Sequence, residues 1–111
     1  MTGELTWFEM GVPDGTRAQS FYGALLWWTF ESMGEGGAVI CTAQGRAGLH
    51  PGDDARQIVT YLHVDDIEAS VQQVRELGGQ ADDPGPAEEG FGRFVTCRDD
   101  QGVAFGLHQP S

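Results

Sequence analysis

Hydrophobic and polar positions in the first half of the chain follow strand and helix periods in turn. Residues 4–12 alternate loosely and include Trp and Phe, which predicts a β-strand. Asp14 is a favourable N-cap, so we expect a helix that begins near Thr16. The apolar residues at helical spacing are Ala18, Phe21, Tyr22, Leu25 and Leu26. Extended segments are then predicted at 27–33, 38–43 and 45–50.

The second half repeats this order after a linker. Residues 51–56 ("PGDDAR") combine Pro, Gly and charge, which is typical of a linker. A strand is predicted at 57–64, and residues 65–66 cap a helix that the glycines at 78–79 end. The apolar positions of that helix are Ile67, Val71, Val74 and Leu77. The remaining segments are a loop at 81–92, which can begin with a short strand, and strands at 93–97 and 103–109.

The order of elements predicts an α+β protein built from two tandem βαβββ modules. Residues 1–111 would form a single domain, with module one at about 1–51, the linker at about 51–56 and module two at about 57–111. Matching motifs support an internal duplication, because "GVPD" (11–14) matches "HVDD" (63–66) and "GLH" occurs at both 48–50 and 106–108. In the same comparison, Cys41 falls on Cys97.

Composition and charge narrow the range of partners. The chain has 6 basic residues, all of them Arg, against 17 Asp and Glu, so its formal net charge is −11. Nucleic acids and anionic membranes require basic patches, so we expect neither as a partner. Residues 1–10 show no signal-peptide pattern, and no apolar stretch approaches membrane-spanning length, so we expect a cytoplasmic protein. Cys41 and Cys97 are then expected to be free thiols.

Several stretches resemble the vicinal oxygen chelate superfamily, which includes glyoxalase I, bleomycin-resistance proteins and extradiol dioxygenases. They are the helix motif "RAQSFY", the opening of the second module "YLHVDDIEASVQQVRELGG", and the ending "DDQGVAFGLHQPS". "WFEMGVPDGTRAQSFYGALLWW" and the terminal "GLHQP" also resemble a short branch of uncharacterised lyase-like proteins. The resemblance implies a mixed sheet that curls around a ligand cavity, and a homodimer.

The resemblance also implies where a metal ion would be bound. Metal-using members keep one ligand near the start of each module's first strand and one on each last strand. Those positions correspond here to Trp7 and Val59, and to Gly48 and Gly106. None of these side chains can bind a metal, so no cofactor is expected. A divalent metal at a displaced site of two histidines and one carboxylate, Glu9, His50 and His108, remains an alternative.

Residues two apart on a strand share a face, so the predicted cavity face carries six candidate ligand-binding residues. They are Trp7, Glu9, His50, Val59, Tyr61 and His108. Glu9 is the candidate catalytic residue, as a general base, although a solvent-facing rim carboxylate would explain it equally simply. The two histidines would donate hydrogen bonds or transfer protons, or else only end their strands. Tyr61 would hold a ligand or belong to the core.

Two functions follow from these residues. The first is a small-molecule-binding protein without the usual metal centre, which would hold an aromatic or planar metabolite or drug in the cavity. The glycines beside the histidines would leave room for that ligand. The alternative is an enzyme of lyase or isomerase type, in which Glu9 removes a proton from a carbon next to a carbonyl group. Nothing in the sequence marks an exposed surface for a protein partner other than a second copy.

Overall fold

Ten regular elements follow one another in a computed structural model that describes residues 3–111. The first five are β1 (Leu5–Gly11), α1 (Gly15–Leu26), β2 (Thr29–Gly34), β3 (Gly37–Thr42) and β4 (Gly45–His50). The next five are β5 (Gln57–His63), α2 (Ile67–Glu76), β6 (Gln80–Ala81), β7 (Arg93–Arg98) and β8 (Ala104–Gln109). The α+β class and the two βαβββ modules are confirmed. The loop predicted after α2 begins with the short strand β6.

The chain divides into two compact units, and these differ from the predicted modules at two places, residues 3–6 and the linker with residues 57–58. One unit is Trp7–Ile58, which we call module one from here on, and the other joins residues 3–6 to Val59–Ser111, which we call module two. Residues 3–6 belong with module two because the Gly3 amide donates to the His63 carbonyl and the His63 amide to the Glu4 carbonyl, both at 2.7 Å. The single-domain interpretation stays a prediction.

Each module has a mixed sheet in which the first and last strands pair in parallel. The strand order is β2-β3-β4-β1 in module one and β6-β7-β8-β5 in module two. β1 is parallel to β4 and β5 is parallel to β8, whereas the neighbouring hairpins are antiparallel. A parallel pair requires a crossover connection. This connection begins with α1 in module one and with α2 in module two.

The register of these parallel pairs confirms the duplication. Glu9 pairs with Gly48 in module one, and Tyr61 pairs with Gly106 in module two. The hydrogen bond that follows each pair is also repeated, because the Val12 amide donates to the His50 carbonyl at 3.1 Å and the Val64 amide donates to the His108 carbonyl at 3.0 Å. The repeated "GLH" motif is therefore the same part of the last strand in both modules.

The cysteines do not occupy equivalent positions, contrary to the expected match. Ala47 on β4 pairs with Ile40, and Phe105, its counterpart on β8, pairs with Cys97. The structural counterpart of Cys97 is therefore Ile40. A one-residue shift moves a strand side chain to the opposite face, so Cys97 is buried while Cys41 is partly exposed. Both cysteines are free thiols, as expected.

Each module has its own hydrophobic core between its helix and one face of its sheet. The core of module one contains Met10, Ala18, Ala38, Ile40, Ala47 and Leu49. The core of module two contains Val64, Ile67, Val71, Val95, Cys97 and Leu107. Because side chains alternate along a strand, the residues next to Met10 and Leu107 point to the other face of the sheet. The candidate site residues lie there.

The apolar face expected on α1 is buried over only part of its length. Ala18 is buried and Tyr22 packs against the core, but Phe21, Leu25 and Leu26 are exposed. The fully buried residues of the helix, Gly15 and Ala18, both lie in its N-terminal half. Trp27 ends the helix in a left-handed conformation (φ 59°) and is 85% exposed. No helix within residues 3–111 is long and apolar enough to cross a membrane.

Candidate functional site

In module one, the sheet face opposite α1 carries a carboxylate held by an indole. Trp7 and Glu9 are two residues apart on β1, so they share a face, and the Trp7 indole Nε1 donates a hydrogen bond to the Glu9 carboxylate. Both side chains are half-buried. A carboxylate at such a depth requires hydrogen-bond donors, and the indole supplies one of them. The bond orients Glu9 on the face that the sequence predicted for ligand binding.

The glycines of the last strands accommodate neighbouring side chains, which corrects the expectation that they open space for a ligand. A Cβ atom added at Gly48 would overlap the carboxylate of Glu9. A Cβ atom added at Gly106 would overlap the aromatic ring of Tyr61. At equivalent positions of the parallel strand pairs, module one therefore has a carboxylate beside a glycine and module two has a phenol ring beside a glycine.

In module two, the corresponding face carries an aromatic cluster. The ring of Phe94 on β7 stacks on the His108 imidazole, with centroids 4.3 Å apart and ring planes within 4°. The Tyr61 ring meets the edge of Phe94 at 5.4 Å. The Tyr61 hydroxyl also lies 3.4 Å from the Thr96 hydroxyl. Tyr61 and the adjacent candidate Val59 are both buried, so Tyr61 has the features of a core tyrosine with a satisfied hydroxyl group.

His108 uses both ring nitrogens within module two. Its Nε2 lies 2.6 Å from the carbonyl oxygen of Phe91 and its Nδ1 lies 3.1 Å from the hydroxyl of Thr6. A carbonyl oxygen can only accept a hydrogen bond, so Nε2 carries a proton and donates to Phe91, and the hydroxyl of Thr6 is the partner of Nδ1. This buried side chain joins three segments of the module. That arrangement favours a structural role for His108.

His50, the counterpart of His108, lies in different surroundings. Its side chain is exposed, and its Nδ1 is 3.8 Å from the carboxylate of Asp53. Asp53 in turn occupies the space next to Gly11, where a Cβ atom would overlap the carboxylate. His50 is therefore the exposed last residue of β4. The hydrogen-bonding or proton-transferring pair of histidines stays a prediction.

The residues at the metal-ligand positions do not fit a metal ion. Trp7 and Val59 offer no metal-binding atom, and the space beside Gly48 and Gly106 is taken by Glu9 and Tyr61. Within residues 3–111, no three His, Cys, Asp or Glu side chains are grouped so that they could hold a metal ion. The displaced triad of Glu9, His50 and His108 stays a prediction.

Cys97 is not placed for nucleophilic chemistry. Burial raises the pKa of its thiol to about 11, and the negative charge of Asp82 acts in the same direction, whereas Arg75 opposes it. The thiolate is the reactive form, so this side chain behaves as a small hydrophobic group of the core at neutral pH.

The structure brings some of the predicted residues together and adds others that the sequence did not single out. Trp7 and Glu9 contact each other in module one, and Tyr61 and His108 are both in contact with Phe94 in module two. Phe94 was missed because the sequence does not show that it lies opposite the candidate His108 in the β7–β8 pair. Arg17 and Arg56, which line a groove beside α1, were also missed.

Comparison with known proteins identifies the fold and the superfamily. No protein-family model matches the chain. The "Putative glyoxylase CFP32" of Mycobacterium bovis is 30% identical over 119 residues, which include 96% of this chain. The chain spans 46% of the length of that relative.

Two solved structures of enzymes share the fold at low sequence identity. The 2,2',3-trihydroxybiphenyl 1,2-dioxygenase of Sphingomonas wittichii strain RW1 has a TM-score of 0.72 at 18% identity, and the match covers 100% of this chain and 42% of that enzyme. The methylmalonyl-CoA epimerase of Mycobacterium tuberculosis has a TM-score of 0.69 at 17% identity, with coverage of 98% and 88%.

Two βαβββ modules, each closed by a parallel pair of its first and last strands, define a glyoxalase-like fold. The chain belongs to the vicinal oxygen chelate superfamily, as the fold and the glyoxylase-like relative together indicate. Its place in a short lyase-like branch of that superfamily stays a prediction.

Proposed function

We propose that the protein binds a small planar or aromatic molecule, with Trp7 and Glu9 as the principal contacts and without the usual metal centre of the superfamily. The observation that carries this proposal is the hydrogen bond from the Trp7 indole to the half-buried Glu9 carboxylate. A fixed carboxylate accepts a hydrogen bond from a ligand, and an indole beside it offers a flat apolar surface. The ligand therefore carries a hydroxyl or amino donor on an aromatic body.

The other predicted ligand-binding residues have unequal weight in this proposal. Val59, Tyr61 and His108 remain candidates for the lining of the cavity, but the contacts of Tyr61 and His108 with Phe94 favour a supporting role. His50 is exposed at the end of its strand. We therefore place Glu9 first and His50 last among the polar groups that would select the ligand.

A screen with phenols, catechols and aromatic amines tests the proposal. Ligand binding should quench or shift the tryptophan fluorescence and raise the melting temperature of the protein. Glu9→Gln should weaken binding of the best compound about tenfold or more, because a charged acceptor is lost. Glu31→Gln, a change of another carboxylate in module one, is the matched control and should bind normally. A screen of this breadth without one thermal shift would contradict the proposal.

An enzymatic function is the second candidate, and the same hydrogen bond favours it. A carboxylate oriented by an indole N–H is placed to act as a general base. Glu9 would take a proton from a carbon next to a carbonyl group and leave an enolate, and a solvent-derived proton would then be added to the opposite face of that carbon. The epimerase that shares this fold and the glyoxylase-like relative support this class, although the chain covers only part of the relative's length.

Exchange of substrate hydrogen for solvent deuterium separates the two candidates. The enzyme should catalyse such exchange in a small panel of α-substituted carbonyl compounds and thioesters. Glu9→Gln should abolish the exchange while circular dichroism shows an intact fold. Full exchange activity in Glu9→Gln would exclude Glu9 as the base.

We also propose that the protein acts as a cytoplasmic homodimer. The exposed apolar side chains at the C-terminal end of α1 support the dimer, and they are Leu25, Leu26 and Trp27. Light scattering after size exclusion should give a dimer mass for the natural chain. Trp27→Asn, which tolerates the left-handed backbone at this position, should shift the mass towards the monomer.

A further inference from the structure

A groove beside α1 offers a second site in module one. Met10 and Ala18 pack into the core between α1 and the sheet, so this groove and Glu9 lie on opposite sides of β1. Its volume is about 810 Å³, within the range of roughly 300–1,000 Å³ that is usual for small-molecule sites. A smaller depression of about 430 Å³ shares Tyr22 and Arg56 with it.

Two arginines that line this groove have no partner for their guanidinium groups. Among the contacts of residues 3–111, neither Arg17 nor Arg56 has a side-chain hydrogen bond or ion pair. The other arginines are engaged, and they are Arg46, Arg75, Arg93 and Arg98. In a chain with 17 acidic and 6 basic residues, a guanidinium group without any hydrogen-bond or ion-pair partner among the described residues is an exception, and both exceptions line one groove.

Arg56 is held at the groove by an unusual backbone conformation. Its φ is 52°, in the left-handed region that residues other than glycine rarely adopt. The preceding turn is fixed by two hydrogen bonds, from the Asp53 amide to the Val12 carbonyl at 3.1 Å and from the Ala55 amide to the Asp53 carboxylate at 2.8 Å. A conformation of this kind persists where the surrounding structure holds it, and it is common at ligand sites.

The rest of the lining suits a flat organic anion. Phe21 and Tyr22 meet edge to face at 5.1 Å and give an aromatic wall, of which Phe21 is 62% exposed. Asp14 is the one acidic residue among the described lining residues, and its carboxylate accepts the Arg17 amide at 3.0 Å as the N-cap of α1. Two guanidinium groups against one carboxylate give the groove a net positive charge, in contrast to the chain as a whole.

We propose that this groove binds an aromatic carboxylate or phosphate, whose anionic group is held by Arg17 and Arg56 and whose ring lies against Phe21 and Tyr22. Guanidinium groups bind such oxyanions with paired, charge-assisted hydrogen bonds. This site is separate from Glu9, which lies on the opposite side of β1, and the Glu9 carboxylate would repel an anionic ligand. The inference therefore does not rest on the proposed function.

Binding of 2-naphthoate and 2-naphthyl phosphate, followed by titration calorimetry and by amide chemical shifts of residues 14–22 and 56, tests the inference. Both anions should bind and shift these amides, and neutral 2-naphthamide should bind at least about tenfold more weakly. Tighter binding of one anion identifies the headgroup that the site prefers. The double variant Arg17→Gln/Arg56→Gln should lose binding of both anions.

The matched control is Arg46→Gln/Arg98→Gln, which removes the same charge outside the groove and should leave the affinity within about twofold. Glu9→Gln should also leave it unchanged. The inference is overturned if neither anion binds, if the amide binds as tightly as the acid, or if the control variant loses as much affinity as the groove variant.

Discussion

The two modules place different chemistry on the same backbone register. In module one, Glu9 lies over Gly48 and is held by Trp7, whereas in module two, Tyr61 lies over Gly106 and contacts Phe94. The strand pairing and the hydrogen bond after each "GLH" motif are the same in both modules. A duplicated scaffold has therefore kept its backbone and diverged in polarity at one position.

The difference assigns unlike tasks to the two faces. Module two closes its face with stacked rings and a buried histidine whose nitrogens both have protein partners. Module one keeps a half-buried carboxylate and leaves its own histidine exposed. We infer that the face of module two supports the fold and that the face of module one carries the chemistry. Four measurements can break or sharpen this comparison.

The histidines should give the largest difference. His108→Ala removes two hydrogen bonds and a stacked ring from a buried place, so we expect it to lower the free energy of unfolding by about 2–4 kcal/mol. His50→Ala removes an exposed side chain and should change it by no more than about 0.5 kcal/mol. Urea unfolding of both variants measures the difference. Equal effects would show that His50 and His108 contribute equally to stability, contrary to this comparison.

The glycines should differ in the same direction by a smaller amount. Gly106→Ala pushes a methyl group into the Tyr61 ring, which Phe94 holds, and should cost about 2–3 kcal/mol. Gly48→Ala meets the end of the flexible Glu9 side chain and should cost about 1 kcal/mol. Thermal unfolding compares the two variants. In the double variant Gly48→Ala/Glu9→Ala, the clash is absent, so a cost that persists there would contradict this explanation.

The cysteines should differ in reactivity at pH 8. Burial keeps the Cys97 thiol protonated, with a pKa of about 11, and also shields it from reagents. Iodoacetamide should therefore label the partly exposed Cys41 at least about tenfold faster than Cys97. Mass spectrometry of peptides from the folded protein measures both rates, and the denatured protein, where the rates should converge, is the control.

The smallest effect is expected at the β7–β8 turn of module two, which contains the carboxyl group of Asp99. The corresponding β3–β4 turn of module one has no ionisable side chain. Backbone hydrogen bonds from Val103 and Gln101 lower the pKa of Asp99 below its ordinary value of 3.8. A carboxyl group whose pKa is lower in the folded state than in the unfolded state stabilises the protein at pH values above the unfolded pKa. This stabilisation is lost as the pH falls through the folded pKa. Asp99→Asn should therefore lower the melting temperature slightly at pH 7, and the difference should shrink as the pH is lowered from 7 to 3.

The corresponding turn of module one is the control for that pH dependence. There the Thr42 hydroxyl donates to the Gly45 carbonyl and accepts the Gln44 amide, so the turn has no ionisable group. Thr42→Ala should lower the melting temperature equally at both pH values. A pH-dependent effect of Thr42→Ala would mean that the acid sensitivity arises elsewhere.

The sequence predicted the elements well because their signals are local. Asp14 and Asp66 cap their helices as expected, and the change of period separates strands from helices. The shift at the cysteines was missed because the β7–β8 turn is longer than the β3–β4 turn, and where the extra residues fall is decided by strand pairing. The candidate site was likewise predicted only in part, because the sequence shows which residues share a face but not which groups contact one another.

Shared faces follow from alternation, so Trp7 and Glu9 could be placed together from sequence. Occupancy does not follow, because a glycine looks the same whether a ligand or a neighbouring side chain fills the space beside it. The absence of partners for Arg17 and Arg56 was equally invisible, since it depends on where the 17 acidic residues lie in the folded chain.

The overlap between Glu9 and the space above Gly48 has a consequence for how this protein could change. The resemblance to the superfamily implies that Gly48 corresponds to a position where metal-using members keep a ligand, so a side chain introduced there would be a first step towards a metal centre. A side chain at position 48 would displace the Glu9 carboxylate, which already occupies the volume. The first step towards a metal ligand there would therefore disturb the present Glu9 site before a metal centre was complete.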